Sequence, residues 1–466
     1  MCGIVAVSGS PEAAKLAFLG LYSLQHRGQE AAGICTYDAA TRTGHRHRAA
    51  GLVSEAITEE HLAKLRGELA VGHIRYSTAG GPGLKNAQPI RETYRGGHLA
   101  LVHNGNLTNA QQLRERLLGE GSLFQSTIDS EVIVHLIARS RAATPDEQVL
   151  DALGQLEGAY CLLVTIDDAL YVARDPYGYR PLVVGALPGG GLVVASETCA
   201  LDIVGARHSC DVQPGELIRI RGGEVEESIR IPKFVAEPQP CIFELVYFAR
   251  PDTRLWGKTV DRARRAFGRR LAGEQPAPGA EIVISVPDSA NSAAVGYAEE
   301  AGIPFELGLI RNHYVGRTFI TPGQAGRDFK VRMKFSPVRE VLQGKSVVVV
   351  DDSLVRGTTS RALVAMLREA GAREVHLRLA SPPVRFPCFY GIDMPTREEL
   401  IASEMSVEEI RAFLGVDSLG YLSLEGMVEC VRGDNRGETY CTACFSGDYR
   451  APLVDAERGY AMSSHC

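Results

Sequence analysis

Asp351 and Asp352 stand side by side and are followed by Ser353-Leu354-Val355-Arg356-Gly357-Thr358-Thr359. Adjacent carboxylates repel a phosphate, but they accept hydrogen bonds from sugar hydroxyls and organise a hydrated Mg²⁺. The small and hydroxyl residues after them lead into Ser360–Gly371, whose apolar positions recur at helical spacing and stop at a glycine. A small-residue turn entering a helix brings free backbone N–H groups and the positive end of the helix dipole to one point, which suits a phosphate. The ligand of this stretch should therefore carry both a ribose and a phosphate. A plain strand ending in a polar turn would account for the helix, but not for two acids beside Arg-Gly-Thr-Thr. Gly344-Lys345-Ser346 is not a P-loop, because it precedes the strand and Arg339 occupies the place of the first glycine.

A second chemistry lies at the start of the chain. In Met1-Cys2-Gly3-Ile4-Val5, removal of Met1 would make Cys2 the first residue. An α-amino group has a pKa of about 8, so a terminal Cys carries its own general base. Three later segments offer the partners such a thiol needs. His103-Asn104-Gly105-Asn106 ends an apolar stretch. An Asn amide with the next Gly N–H can form an oxyanion hole, each donor contributing about 3 to 4 kcal/mol. Arg75, in His73-Ile74-Arg75-Tyr76-Ser77-Thr78, offers a planar fork for a carboxylate. Asp129 could hold an ammonium, although alone it reads as the N-cap of a helix over 130–141. Asn-Gly is also the commonest hairpin signal, so the weight rests on the joint presence of these segments with Cys2.

The elements that must position these residues can be read from periodicity. Val347–Val350 is β-branched and apolar on both faces, as in the central strand of a parallel sheet covered by helices. Glu281–Val286 is a second strand that ends in a polar turn, Pro287-Asp288-Ser289. In the first half, runs at 3–8, 31–37, 98–103, 159–166, 169–174 and 192–196 predict strands, and 107–120, 129–141 and 146–156 predict helices. That pattern fits two stacked sheets with helices outside, closed by a hairpin over 216–225. Val235-Ala236-Glu237-Pro238-Gln239-Pro240 reads as the linker. Residues 311–336 hold Arg311, Arg317, Arg327, Lys330, Arg332 and Lys334 with no clear period. A solvated basic loop is the usual reading, but cations on a long irregular loop also suit a lid that closes over a polyanionic leaving group.

At 466 residues the chain exceeds the size at which a single core keeps growing, so two or three domains are expected. A net charge of −6 argues against nucleic acid as the partner. No apolar run reaches the roughly 18 residues of a membrane span. The expectation is a cytoplasmic protein with no membrane association, in which eleven Cys are thiols, a nucleophile and metal ligands rather than disulfides.

Val349–Thr359 resembles the phosphoribosyl pyrophosphate (PRPP) loop of type I phosphoribosyltransferases. The resemblance implies that Asp351 and Asp352 face the ribose hydroxyls, that Ser353, Val355, Arg356, Gly357, Thr358 and Thr359 belong to the same PRPP site, with 355–359 wrapping the 5-phosphate, and that Ser289 lies near an Mg²⁺ shared with the two acids. Met1–Ile4, Leu24–Glu30, Gly72–Thr78, His103–Gly105 and Asp129–Glu131 are similar to class II, N-terminal-nucleophile glutamine amidotransferases. Carried over by position, Cys2 attacks the glutamine amide, Asn104 and Gly105 hold the oxyanion, Arg75 takes the α-carboxylate and Asp129 the α-ammonium. Arg27 and Gly28 shape the pocket, and Thr78 joins the glutamine site. The whole chain, including Cys241–Asp252 and Tyr314–Ile320, resembles the amidophosphoribosyltransferase family.

What this implies is a four-layer αββα N-terminal-nucleophile-hydrolase domain over 2–235. A type I phosphoribosyltransferase domain with a central parallel sheet then follows over 236–466. It also implies ammonia transfer from glutamine to C1 of PRPP, Arg317 and Lys334 on the lid, and a homotetramer inhibited by purine nucleotides. Cys241, Cys388, Cys441 and Cys444 match positions that hold a [4Fe-4S] cluster in one branch of the family. Zinc is the alternative, although the wide spacing fits no compact zinc module. Cluster-bearing members commonly carry a clipped leader; with Met1 alone before Cys2, an aminopeptidase would suffice. Cys35, Cys161 and Cys199 read as packing residues, and Cys210, Cys430 and Cys466 carry no assignment. A PRPP-sensing regulator and another glutamine-dependent amidotransferase are the competing readings; the Cys2 constellation opposes the first and Asp351–Thr359 the second.

Overall fold

The structure is a computed structural model that describes residues 1–76, 81, 83–233, 237–313, 331–394, 396–432 and 437–458. The first half is built on β1 (Gly3–Ser8), β2 (Ala31–Asp38), β3 (Thr43–Ala50), β4 (Leu69–Arg75), β5 (Ile90–Tyr94), β6 (Gly97–Leu107), β7 (Gly158–Ile166), β8 (Ala169–Arg174), β9 (Val183–Ala186), β10 (Leu192–Ala195), β11 (Arg207–Asp211), β12 (Glu216–Arg221) and β13 (Glu224–Arg230). They form two antiparallel sheets, in the orders β11-β9-β10-β1-β4-β2-β3 and β13-β12-β8-β7-β6-β5.

Side-chain alternation along each strand separates three apolar layers. Ile4 and Ala6, Leu69 and Val71, and Ala100 and Val102 pack between the sheets. Val5 and Val7 face the helix Ala13–Ser23, whose Ala13, Ala17 and Leu21 cover the first sheet. Leu99 and Leu101 face the helices Ala110–Gly119, Ser130–Arg139 and Pro145–Gly154 on the outside of the second. The result is the expected αββα sandwich. Its helix at 107–120 starts only at Ala110, because β6 continues to Leu107.

The second half adds β14 (Arg254–Leu255), β15 (Lys258–Thr259), β16 (Ile282–Ser285), β17 (Leu309–Arg311), β18 (Phe335–Pro337), β19 (Ser346–Asp351), β20 (Glu374–Leu379) and β21 (Ser418–Tyr421). The order β16-β19-β20-β21 is parallel throughout. Both faces are covered, as the Val run requires. Val348 and Val350 pack toward the helices Val260–Glu274 and Asn291–Ala301, while Val347 and Val349 pack toward Thr358–Glu369 and Val407–Leu414. Each such buried Val stabilises the sheet by about 1.5 to 3 kcal/mol.

The first two helices touch backbone to backbone: a Cβ on Gly268 would lie 1.9 Å from the Ala293 carbonyl, and one on Gly296 would lie 2.1 Å from that of Arg265. β17 and β18 pair antiparallel and fix both ends of the basic segment. Its centre, including Arg317, lies outside the described residues, as do Val235 and Ala236 of the expected linker. Among the described residues no helix is long and apolar enough to cross a membrane.

The halves are joined by buried polar contacts as well as apolar ones. Arg27 donates to Glu197 and, at 2.7 Å, to Glu244; Arg180 reaches Glu244 at 3.4 Å, and all four side chains are fully buried. Glu244 opens a five-residue π-helical turn, Glu244–Phe248, and Arg264 holds that turn by donating to the Leu245 and Ala249 carbonyls at 2.9 and 2.8 Å. Removing one partner from such a buried set leaves an uncompensated charge and costs about 3 to 5 kcal/mol.

Candidate functional site

Cys2 lies at the entrance of β1, where Gly3 pairs with Ile74 and so brings the thiol to the end of β4 beside Arg75. The Cys2 thiol donates to the Tyr76 carbonyl at 3.5 Å. Strand parity aims Cys2, His73, Arg75 and Asn104 into the same end of the inter-sheet layer, since each continues a row that packs there. Burial pushes the Cys2 thiol above its ordinary pKa, more than the terminal amine, the Tyr76 carbonyl contact and Arg75 bring it down. The same burial pushes the Met1 amine down to about 6.

Both amide atoms of Asn104 are buried, and among the described residues neither has a hydrogen-bond partner. An unsatisfied buried amide costs about 1 to 3 kcal/mol, so a site that keeps one is holding it for a ligand. Gly105 follows with φ +156°, and a Cβ there would lie 2.1 Å from the Ala159 carbonyl, so no other residue fits.

Arg75 is buried and donates to the Asn86 and Gly81 carbonyls at 2.6 and 2.8 Å, which leaves its Nε edge 3.8 Å from Glu30. Gly28 is a close-approach glycine, since a Cβ would lie 2.5 Å from the Arg75 carbonyl. Asp129 stands at the N-cap position of the helix Ser130–Arg139, as its place suggested, but its backbone is helical and its side chain makes no cap bond. Its carboxylate instead accepts from the Leu107 N–H at 3.0 Å and the Ser130 hydroxyl at 3.1 Å. Burial would raise its pKa, but His103 and these donors hold it below the usual carboxylate range. It therefore stays charged and able to face an ammonium. The Arg27 guanidinium is committed to Glu197 and Glu244, which fixes the turn that carries Gly28. Thr78 lies outside the described residues.

The acid pair stands where the sequence places it, at the carboxyl end of a central parallel strand, the usual ligand position in such sheets. Ser289, from the turn after β16, donates to Asp352 at 2.5 Å, and Ser353 donates to the same carboxylate at 2.6 Å. The Asp352 N–H donates to Asp351 at 2.9 Å. Burial lifts both carboxyls above their ordinary range, and the charge of Asp352 adds to the lift on Asp351. Gly357, at φ +74°, occupies the N-cap of the helix Thr358–Glu369, which begins two residues before the predicted Ser360. Its first N–H groups therefore point into the turn beside exposed Thr358 and Thr359. Arg356 reaches out to Glu399 at 3.0 Å, and the Val355 carbonyl accepts from the Ile401 N–H at 2.9 Å. Partial desolvation and then Arg311 lower the pKa of Lys334, against the pull of Asp351.

The four expected cysteine ligands converge. Cys241 and Cys441 face each other as a parallel bridge, and the Tyr390 N–H donates to the Cys388 sulfur at 3.4 Å. Burial pushes Cys241, Cys441 and Cys444 up, and each feels the charge of its neighbours, Cys388 among them. Among the described residues no three His, Cys, Asp or Glu side chains stand in ligating geometry, so the thiols are gathered but not closed. Cys35, Cys161 and Cys199 are buried in apolar layers. Cys210 is exposed, Cys430 is half-buried and Cys466 lies outside the described residues.

Sequence reasoning assigned no role to three further residues. His73 is fully buried, neither ring nitrogen has a partner among the described residues, and burial followed by Arg75 and His103 pushes it down to about 3. Tyr247, on the π-helical turn, is 47% exposed. Its phenol is pushed up to about 12 by desolvation and then by Asp352, Tyr76 and Asp351. Glu244 ties that turn to Arg27. His73 lies in the Gly72–Thr78 motif and Glu244 and Tyr247 in Cys241–Asp252, but the contact of Glu244 with Arg27 comes from 217 residues away and no local pattern reveals it.

The profile of the glutamine amidotransferase domain matches residues 73–202. The chain is 50% identical over 464 residues to the chloroplast amidophosphoribosyltransferase 1 of Arabidopsis thaliana, covering 98% of this chain and 80% of that protein. It is 49% identical over 453 residues to the amidophosphoribosyltransferase of Bacillus subtilis, covering 96% and 94%. Over 470 residues it is 46% identical to that of Methanothermobacter thermautotrophicus, covering 100% and 98%. The solved structure of the B. subtilis glutamine PRPP amidotransferase, complexed with ADP and GMP, superposes with a TM-score of 0.91 at 48% identity, covering 97% of this chain and 98% of that one. With a thiol site at one end of an αββα sandwich, an acid-flanked phosphate turn on a parallel sheet and relatives matched along the full length, the chain belongs to the amidophosphoribosyltransferase family.

Proposed function

We propose the following division of labour among these residues for the amidophosphoribosyltransferase reaction, the first step of purine biosynthesis. Cys2 attacks the carboxamide of glutamine once Met1 is removed. Its own amine takes the thiol proton and returns it to the departing ammonia. Asn104 and the Gly105 N–H carry the developing oxyanion, Arg75 pairs with the substrate α-carboxylate, and Asp129 faces its α-ammonium. Thr78 completes the glutamine site. The observation that carries this reading is the buried Asn104 amide, without a partner among the described residues, on a row that leads to the same end of the inter-sheet layer as the buried Cys2 thiol. Ammonia then attacks C1 of PRPP, whose ribose hydroxyls meet Asp351 and Asp352 and whose 5-phosphate sits on the 355–359 turn. Pyrophosphate leaves under Arg317 and Lys334. Water completes the glutaminase half, giving glutamate, and the sugar product is 5-phosphoribosylamine.

Mg²⁺ would be held by Asp351, Asp352 and Ser289, and when bound it neutralises pyrophosphate charge. Support comes from the lifted carboxyls, which need a cation to ionise together. The four gathered thiols fit a [4Fe-4S] cluster in number and type, and the lift on their pKa values is what a bound cation would reverse. Iron and sulfide in about fourfold ratio to protein purified without oxygen is the expected analysis; zinc without iron would overturn the cluster. The B. subtilis relative is complexed with ADP and GMP, and purine nucleotides are expected to compete with PRPP here. The domain boundary at 235/236 and a cytoplasmic homotetramer complete the reading.

The test is pyrophosphate release from PRPP with glutamine or ammonia as nitrogen donor, followed across pH. Burial lowers the Met1 amine, and an amine on Cys2 at the same buried end is expected to lie below the ordinary value of about 8 as well. Glutamine kcat/KM is expected to fall on acidification with an apparent pKa below about 8 and to be flat above it. A limb centred near 8, the ordinary amine value, would overturn the buried-amine mechanism, and absence of PRPP turnover with either donor would overturn the whole assignment.

A further inference from the structure

The peptide of Gly105 is held from two directions, and only one of them belongs to its own sheet. On the β7 side, Gly105 pairs with Tyr160 and lies hard against the Ala159 carbonyl. On the other side stands a turn from the phosphoribosyltransferase half. A Cβ on Gly391, which has φ +104°, would lie 3.1, 3.2 and 3.3 Å from the carbonyl carbon, Cα and oxygen of Gly105. The two backbones therefore lie close enough that a side chain on Gly391 would press on Gly105.

This contact is pinned along its length. The Asn106 side-chain amide donates to the Phe389 carbonyl at 3.0 Å. Arg180 donates from Nε and Nη2 to the Tyr390 carbonyl at 2.9 and 2.7 Å, and it is itself buried against Glu244. The Tyr390 hydroxyl donates to the Ala451 carbonyl at 2.9 Å. Phe389 and Gly391 thus meet the strand that carries the oxyanion donors, and Tyr390 between them is fixed to Arg180 and Ala451.

We infer that Phe389–Gly391 is a positioning element of the glutaminase: by bearing on the Cα and carbonyl of Gly105 from the far half, it holds that residue's backbone and, through the shared Cα, the setting of its N–H, so the oxyanion pocket is complete only when the two halves are docked. The inference rests on the reading of Cys2, Asn104 and Gly105 as a glutaminase and deepens it. The physical lever is short. Gly105 is bounded on the β7 side by its pairing with Tyr160 and by the Ala159 carbonyl, so a group inserted at Gly391 is expected to shift or tilt the Gly105 backbone. Losing one oxyanion donor costs about 10² to 10³ in kcat, and misplacement of a catalytic group by about 1 Å can cost 10²-fold.

The experiment compares Gly391→Ala and Asn106→Ala with wild type and Cys2→Ala, measuring glutamine hydrolysis and ammonia-dependent PRPP turnover on the same preparations. Gly391→Ala inserts a methyl between the two backbones; glutamine kcat is expected to fall about 10- to 100-fold with KM within about threefold, while ammonia-dependent turnover is unchanged. Asn106→Ala removes the tether to Phe389 without adding bulk and keeps the question open should the first variant fold poorly. It is expected to lower glutamine kcat about 3- to 10-fold with the same pattern. Wild-type glutamine kcat in Asn106→Ala, or a parallel loss of both activities in both variants, would overturn the inference. Glutamine hydrolysis that survives in Cys2→Ala would overturn the underlying glutaminase reading instead, and the positioning role would fall with it.

Discussion

Cys2→Ala is expected to lower glutamine-dependent release of pyrophosphate by at least about 10⁴-fold while leaving the ammonia-dependent reaction within about twofold of wild type. The size of the first effect follows from the role: without a nucleophile there is no covalent intermediate, and the oxyanion donors and the amine base have nothing to act on. The neutrality of the second follows from location. Cys2 touches Tyr76 at the end of the sandwich, whereas Asp351 and Asp352 end a strand of the other half. The substitution removes one sulfur, and the sandwich keeps its three apolar layers. Equal loss of both activities in a folded variant would show one shared site and sink the two-site account. A parallel measurement of ammonia released from glutamine without PRPP separates loss of chemistry from loss of transfer.

How far the sequence could be read depended on whether the deciding contact was local. The Val347–Val350 run declared a strand covered on both faces, and the sheet has those two faces packed by different helices. β1, β2, β7 and β8 were legible for a similar reason, since apolar runs bounded by turn residues fix them. β4 was quoted only as a motif, because Gly72, His73 and Arg75 interrupt its apolar pattern; they do so because that end of the strand lines the site. Asp129 illustrates the opposite error. Its place before a helix predicts a cap, yet its carboxylate turns to the Leu107 N–H, a donor 22 residues earlier that no local rule reveals. Arg27 and Glu244 are 217 residues apart, so neither could announce the other. The same holds for Gly391 against Gly105, a contact with no side chain on either partner. Local rules identify reacting groups, whereas the contacts that couple the halves become visible only after folding.

Asp352→Asn is expected to mirror the Cys2 variant: turnover of PRPP falls about 10²- to 10³-fold with either nitrogen donor, while Cys2 still hydrolyses glutamine. The side chains are nearly isosteric: of the Ser289 and Ser353 hydroxyls, which now donate to different oxygens of the carboxylate, one can still donate to the amide oxygen and the other can turn to accept from the amide N–H. What the change removes is charge. That charge is costly in the absence of ligand, because burial lifts both carboxyls and Asp352 adds to the lift on Asp351. A variant with one acid fewer should therefore fold at least as well as wild type, with a thermal midpoint unchanged or higher by about 2 to 4 °C. Loss of activity at equal or greater stability is the signature of a group kept for its ligand rather than for the fold. It separates this role from that of Arg27 or Glu244, whose removal would weaken the protein as a whole. If Asp352→Asn turned over PRPP with ammonia at the wild-type rate, the acid pair would be no more than a strand ending, and the sugar would have to be held elsewhere.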